Sequence, residues 1–173
     1  MKTFTPTTRT LAIDPTTPGF AWVLIEGLHT LVAYGSIQAP VPRNRNCLLR
    51  AETLLATYRP DILVLEDCTV EGARRSKRAA ELIEGLCERA RLRKVRTVKL
   101  PRGRVVEGFA PQARRKHEIA VALCHRFPEL RSRLPRPRKP WESEDERMNI
   151  FDALALAVTA ADEAVGNLPV INF

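Results

Sequence analysis

The chain has 173 residues, 28 of them Lys or Arg and 20 Asp or Glu, for a net charge of +8. With 45% hydrophobic residues it can bury a core without disulfide or metal staples, which excludes a disordered or disulfide-scaffolded chain. No apolar run approaches the ~20 residues of a membrane span, and residues 1–6 lack the apolar stretch of a secretory signal, so a cytoplasmic protein with no membrane partner is expected.

In chain order, residues 10–14 are a short apolar run ending in Asp14 and Pro15. A turn at 16–19 leads to a second apolar strand at 20–25, and Gly27 separates it from a third at 31–37. Three strands with tight turns predict an antiparallel meander. Cys47, Leu48, Leu49, Leu54, Leu55 and Tyr58 recur at helical spacing, and Pro60 ends that helix. Residues 61–66, apolar in the middle and acidic at the end, predict a buried strand.

Residues 74–93 predict a helix through Ala79, Leu82, Ile83, Leu86 and Ala90. Residues 95–100 predict a fifth strand, 101–111 a basic loop and 112–127 an amphipathic helix. Residues 128–143, with four prolines and five basic side chains, predict a loop or disordered stretch. Residues 144–163 predict the last helix. Without an internal repeat or a strong boundary, 1–173 predicts one domain carrying a Pro/Arg-rich loop at 128–143. The order predicts an α/β fold with a mixed five-stranded sheet and helices on its faces.

The charge is uneven. Residues 91–139 hold 16 Lys or Arg against 3 Asp or Glu, so the remainder is net −5. Of the basic residues 22 are Arg, whose planar fork suits phosphate. A basic region beside an acidic one suggests a polyanion surface next to a carboxylate site; a solvated Arg-rich surface is the alternative. Cys47, Cys68, Cys87 and Cys124 lie too far apart for a zinc half-site, and four reduced thiols are expected.

Three acids stand where chemistry is usually placed. Asp14 and Glu66 end buried strands, and Asp152 sits in the most apolar part of the last helix. Strand ends of such sheets are common ligand edges. An acid on an apolar helix face is costly unless paired or metal-bound. Converging carboxylates need a cation, and hard Mg²⁺ or Mn²⁺ leaves room for phosphate oxygens. Two such ions ~3.5–4 Å apart suit phosphodiester hydrolysis. Taken singly, Asp14 could cap the turn at Pro15, Glu66 could be a surface acid, and Asp152 could face solvent.

Leu-Ala-Ile-Asp-Pro at 11–15 followed by Gly19-Phe20-Ala21, Ile-Leu-Val-Leu-Glu at 62–66, and Asp-Ala-Leu-Ala-Leu-Ala at 152–157 resemble the RuvC-type Holliday junction resolvases. Lys116, opening a helix after a basic loop, is similar to that family's DNA-contacting segment. The resemblance covers most of residues 10–162. It implies an RNase H-like fold, a homodimer, two Mg²⁺ or Mn²⁺ ions per site, and paired nicking of branched DNA in recombination and repair. A branch-migration partner is left open. Asp14, Glu66 and Asp152 would be ligands, with Lys116 catalytic or bound to the DNA backbone.

The pattern departs from that family at two places. Its fourth ligand, one helical turn before the last acid, is here Asn149, which can ligate through oxygen but adds no charge. Asp145 is a more distant substitute. The aromatic that follows the second acid is missing from Cys68-Thr69-Val70-Glu71. Arg74, Arg75, Lys77 and Arg78 are expected to grip phosphate, as are Arg102, Arg104, Arg114, Arg115 and Lys116, a solvated face being the alternative. His117 is expected to face its helix or the surface. Trp22 is expected in the core; Trp141 either stacks on a base or packs against the last helix. Alternative functions are a non-catalytic junction-binding module on the same fold and a nuclease acting on structured RNA.

Overall fold

A computed structural model describes residues 5–69 and 75–166. Strand β1 (Arg9–Pro15) pairs antiparallel with β2 (Gly19–Glu26), which pairs antiparallel with β3 (Thr30–Gln38). On its other side β1 pairs in parallel with β4 (Ile62–Glu66), and β4 with β5 (Arg96–Leu100), giving the order β3-β2-β1-β4-β5. The tight β1–β2 turn fixes this register. A Cβ on Gly19 would stand 1.9 Å from the carbonyl oxygen of Ile37, so only glycine fits there. The mixed five-stranded sheet agrees with the sequence reading.

Alternation along the central strands divides the core in two. Leu11, Ile13, Leu63 and Leu65 pack against α1 (Arg43–Tyr58) and α2 (Lys77–Leu92). Ala12, Ile62 and Val64 face the opposite layer of α3 (Arg102–Phe109), α4 (Lys116–Arg126) and α5 (Met148–Val165). Helix α5 lies across β1 and β2 and is buried without interruption from Ile150 to Ala161. Each large apolar side chain it buries contributes about 1.5–3 kcal/mol relative to exposure. Asp14 and Glu66, two residues beyond Ala12 and Val64, fall on this same α5 side of the sheet.

Several boundaries differ from the sequence reading. The predicted loop at 101–111 contains helix α3, because Pro101 precedes its first turn and Val105 and Phe109 bury at helical spacing. The helix predicted at 112–127 starts only at Lys116, where the Glu118 carboxylate accepts from the N–H groups of Arg114 and Arg115 at 2.9 and 3.0 Å. Ser76 caps α2 by accepting from the Ala79 N–H at 3.2 Å, so the helix begins at Lys77 rather than 74. The last helix starts at Met148, not 144. Pro128–Arg133 is a 3-10 helix that buries Leu130 inside the predicted loop.

The apolar stripe of α2 is buried in this chain's own core. All four cysteines are free thiols. Among the described residues no helix is long and apolar enough to cross a membrane.

Candidate active site at the carboxylate edge

Parallel β1 and β4 end side by side, delivering Asp14 and Glu66 to one edge of the sheet. Asp152 reaches the same edge from the first turns of α5, four residues after Met148. Asp14 and Asp152 are buried, at 2% and 8% exposure. Burial pushes the Asp14 carboxyl up to about 7; Arg75 opposes this, while Asp152 and Glu66 add to it. Acids from three separate elements thus act on one another.

The chain supplies its own countercharge. Arg75, just before α2, reaches over the sheet edge and donates to Asp14 Oδ1 at 2.5 Å, to Glu66 Oε2, and to the Pro15 carbonyl at 2.9 Å. Lys116 Nζ stands 2.9 Å from Asp152 Oδ2 and 2.9 Å from Glu144 Oε1. Burial alone would lower the Lys116 ammonium pKa, but Asp152 and Glu144 hold it above its ordinary value. Arg102 donates to Asp152 Oδ1 at 3.1 Å.

Asn149 lies half-buried one turn before Asp152, on the face expected for a fourth ligand, and its amide makes no hydrogen bond among the described residues. Asp145 is excluded from the site: it precedes α5 and is held by the backbone and guanidinium of Arg147 at 2.6–3.0 Å. Among the described residues no three His, Cys, Asp or Glu side chains form a ready cage for an ion, and Arg75 is wedged between Asp14 and Glu66. The donors are three carboxylates and one amide oxygen, at an edge where Asp152 and Glu66 both push the Asp14 carboxyl up. Such a set fits a hard divalent cation once Arg75 withdraws.

The predicted phosphate contacts divide. Arg75 and Arg102 bind the carboxylates instead of facing solvent. Arg78 ties the β1–β2 turn to α1, donating to the Thr16 carbonyl and to Asn44 Oδ1. Arg104 pairs with Glu163 at 2.8 Å. Lys77, Arg114 and Arg115 are exposed, Lys77 lying 3.9 Å from Glu81. Arg74 lies outside the described residues. His117 Nε2 is 2.9 Å from the Pro135 carbonyl, which directs it away from the acids. Trp22 is in the core, whereas Trp141 is 79% exposed beside Lys139, so it does not pack on the last helix. Glu144 is the participant that sequence reasoning missed. It lies 28 residues after Lys116, and no local pattern joins them.

No protein-family model matches the chain, and no curated protein matches it by sequence. Solved structures do match. The Thermus thermophilus RuvC structure is 16% identical with a TM-score of 0.66, covering 92% of this chain and 98% of its own. T. thermophilus RuvC in complex with Holliday junction substrate is 17% identical with a TM-score of 0.65, covering 92% and 97%. The yeast mitochondrial Holliday junction resolvase Ydc2 is 11% identical with a TM-score of 0.63, covering 94% and 81%. The meander, the parallel crossover strands and the helix laid across them are thus the RNase H-like fold of the RuvC-type resolvases.

Proposed function

We propose that this protein is a divalent-metal-dependent endonuclease that cuts four-way DNA junctions. The observation that carries this reading is the meeting of Asp14, Glu66 and Asp152 at one sheet edge, where Glu66 and Asp152 both raise the pKa of Asp14. The likeness in fold to resolvases, one of them in complex with a Holliday junction, supports the choice of substrate.

Asp14, Glu66, Asp152 and the Asn149 amide would hold Mg²⁺ or Mn²⁺. The bound ions would supply Lewis-acid activation of water and charge neutralisation at the leaving oxygen. The chain's own residues do the rest. Lys116, anchored by Asp152 and Glu144, keeps a positive charge at the edge, where it stabilises charge developing on the scissile phosphate. Arg102 fixes the Asp152 carboxylate from a second side. A two-fold homodimer would present two such edges to the two strands of a symmetric junction.

A specific observation favours a second reading, a non-catalytic junction-binding module. Arg75 bridges Asp14 and Glu66, and an uncharged Asn149 stands in the fourth position. The two readings separate in one assay panel: four-way junction, linear duplex, flap and structured RNA, each with Mg²⁺, Mn²⁺ or EDTA. The nuclease reading expects metal-dependent paired nicks in the junction and little cutting elsewhere. Salt-sensitive junction binding without nicks in any metal establishes the binding module, and preferential cutting of RNA moves the substrate class.

A further inference from the structure

The carboxylates occupy the edge where β1, β4 and β5 end. The opposite edge, where the same strands begin, carries a cleft of about 1380 Å³ between the C-terminal ends of α1 and α2. Arg59, Arg91, Arg93, Lys94 and Arg96 line it, all exposed, together with one carboxylate, Asp61, which accepts from the Arg9 N–H at 3.0 Å. Arg91 pairs with Glu88 at 2.7 Å. Among the described residues, Arg59, Arg93, Lys94 and Arg96 have neither a carboxylate partner nor a side-chain hydrogen bond. Other cations of the chain are paired, as in Arg9–Glu26, Arg89–Glu52, Lys99–Glu84 and Arg126–Asp162. Exposed arginines such as Arg50 and Arg114 lie elsewhere on the surface, so it is the grouping of four in one cleft that sets this edge apart.

The backbone singles out the same cleft. Among the described residues the only non-glycine residues with positive φ are Arg59, at 46°, and Lys94, at 58°. Both follow a helix end and both line the cleft. A left-handed residue after a helix is usually glycine, because any L side chain there meets steric resistance. This chain uses glycine for that purpose at Gly166, φ 76°, after α5. At Arg59 and Lys94 it accepts the strained conformation and keeps a long cation. Helix-end carbonyls attract cations, but that attraction falls off within a turn and gives Arg96, on a strand, no role.

We propose that this cleft is a second nucleic-acid site, binding the phosphate backbone of a DNA duplex at the edge opposite the carboxylates. Strand rise separates the two edges by roughly 17 Å along β1, so one protein holds duplex DNA at a place where it is not cut. Arginine forks suit phosphate oxygens, and the exposed Thr5 and Thr7 hydroxyls at the cleft add neutral donors. The site needs no metal and does not rest on the cleavage reading.

The test is fluorescence anisotropy with a labelled 20-base-pair duplex in EDTA across a NaCl series, alongside thermal melts. Each lost phosphate contact lowers the slope of log affinity against log salt by roughly 0.9, about 8-fold in affinity at 0.1 M salt. R59G/K94G should lower the slope by roughly 1.8 while melting at or above the wild-type temperature, since glycine relieves both left-handed positions. R93Q/R96Q should lower it by a similar amount, and it keeps the test decisive should R59G/K94G prove less stable. Wild-type affinity and slope in both pairs overturn the proposal. So does R59G/K94G melting lower with its slope intact, which would assign the cations to the helix ends. Capture of a poly-glutamate peptide but not of duplex also overturns it, in favour of an acidic protein partner. Loss of metal-dependent cutting would leave this readout standing, and an unchanged salt slope would leave the cutting standing.

Discussion

The guanidinium of Arg75 places Nη2 2.5 Å from Asp14 Oδ1, and the same nitrogen contacts Glu66. One side chain of the protein therefore holds the position between two proposed ligands that an ion must enter. Replacing Arg75 leaves a buried carboxylate facing two other acids without compensation. Arg75→Ala is expected to destabilise the metal-free protein by about 3 kcal/mol. Calorimetric titration with Mn²⁺ should show roughly tenfold tighter binding, a gain of ~1.4 kcal/mol once the competing cation is gone. Mg²⁺ should restore much of the lost melting temperature. Unchanged or weaker metal binding in Arg75→Ala would contradict the competition.

Asp14 predicts a pH dependence with a definite sign. Its carboxyl titrates near 3.8 when unfolded and is pushed up to about 7 in the fold, chiefly by burial. Between these values the folded protein binds a proton that the unfolded chain does not. The protonated form's stabilising contribution is therefore complete below about pH 4 and is lost as pH rises through about 7. In EDTA the melting temperature should fall between about pH 5 and 8, and Asp14→Asn should flatten that slope. Mg²⁺ competes with the same proton, so its affinity should rise across the same window. A wild-type melting temperature that rises with pH over this interval counts against the burial of an acid at this edge.

Asn149 stands one turn before Asp152 with no charge. Asn149→Asp should strengthen a second ion site and lower the Mg²⁺ concentration needed for half-maximal cutting by roughly tenfold. An unchanged Mg²⁺ requirement would show that position 149 does not face the ions. The readout is a metal titration of junction cleavage, supported by Mn²⁺ binding without DNA.

Much of this edge was legible in the chain. Apolar runs ending in Asp14 and Glu66 announced two buried strands, and an acid within Ile150–Val158 announced a site on the α5 face. The chemistry of Arg75 was not legible. A basic residue near a helix start has the same local pattern whether it meets phosphate in solvent or folds over a sheet edge nine residues upstream. Glu144 and Lys116 meet only through tertiary packing of the 134–147 segment against α4. Helix α3 was obscured by Gly103 and Gly108, which suggested a loop, while the burial of Val105 and Phe109 against α5 outweighed their weak helix propensity.

Trp141 offers a reporter for DNA contact. The chain has two tryptophans, and Trp22 is 9% exposed whereas Trp141 is 79% exposed. Trp141 lies three residues before Glu144, the partner of Lys116, and Lys139 sits 5.6 Å over its ring. Stacking on an unpaired base should quench its fluorescence as branched DNA is added. Trp141→Phe should retain binding and lose the signal, and Trp141→Ala should weaken binding by roughly tenfold, at the ~1–3 kcal/mol scale of base stacking. Full affinity in Trp141→Ala would remove the ring from the interface.

The most direct test compares wild-type protein with Asp14→Asn on a synthetic four-way junction in Mg²⁺. The convergence of Asp14, Glu66 and Asp152 predicts paired nicks from the wild type, and cutting reduced by at least ~10³-fold in the variant with junction binding in EDTA retained. Equal Mg²⁺-dependent cutting by Asp14→Asn, or no cutting by the wild type in either Mg²⁺ or Mn²⁺, would contradict a catalytic role for this carboxylate edge.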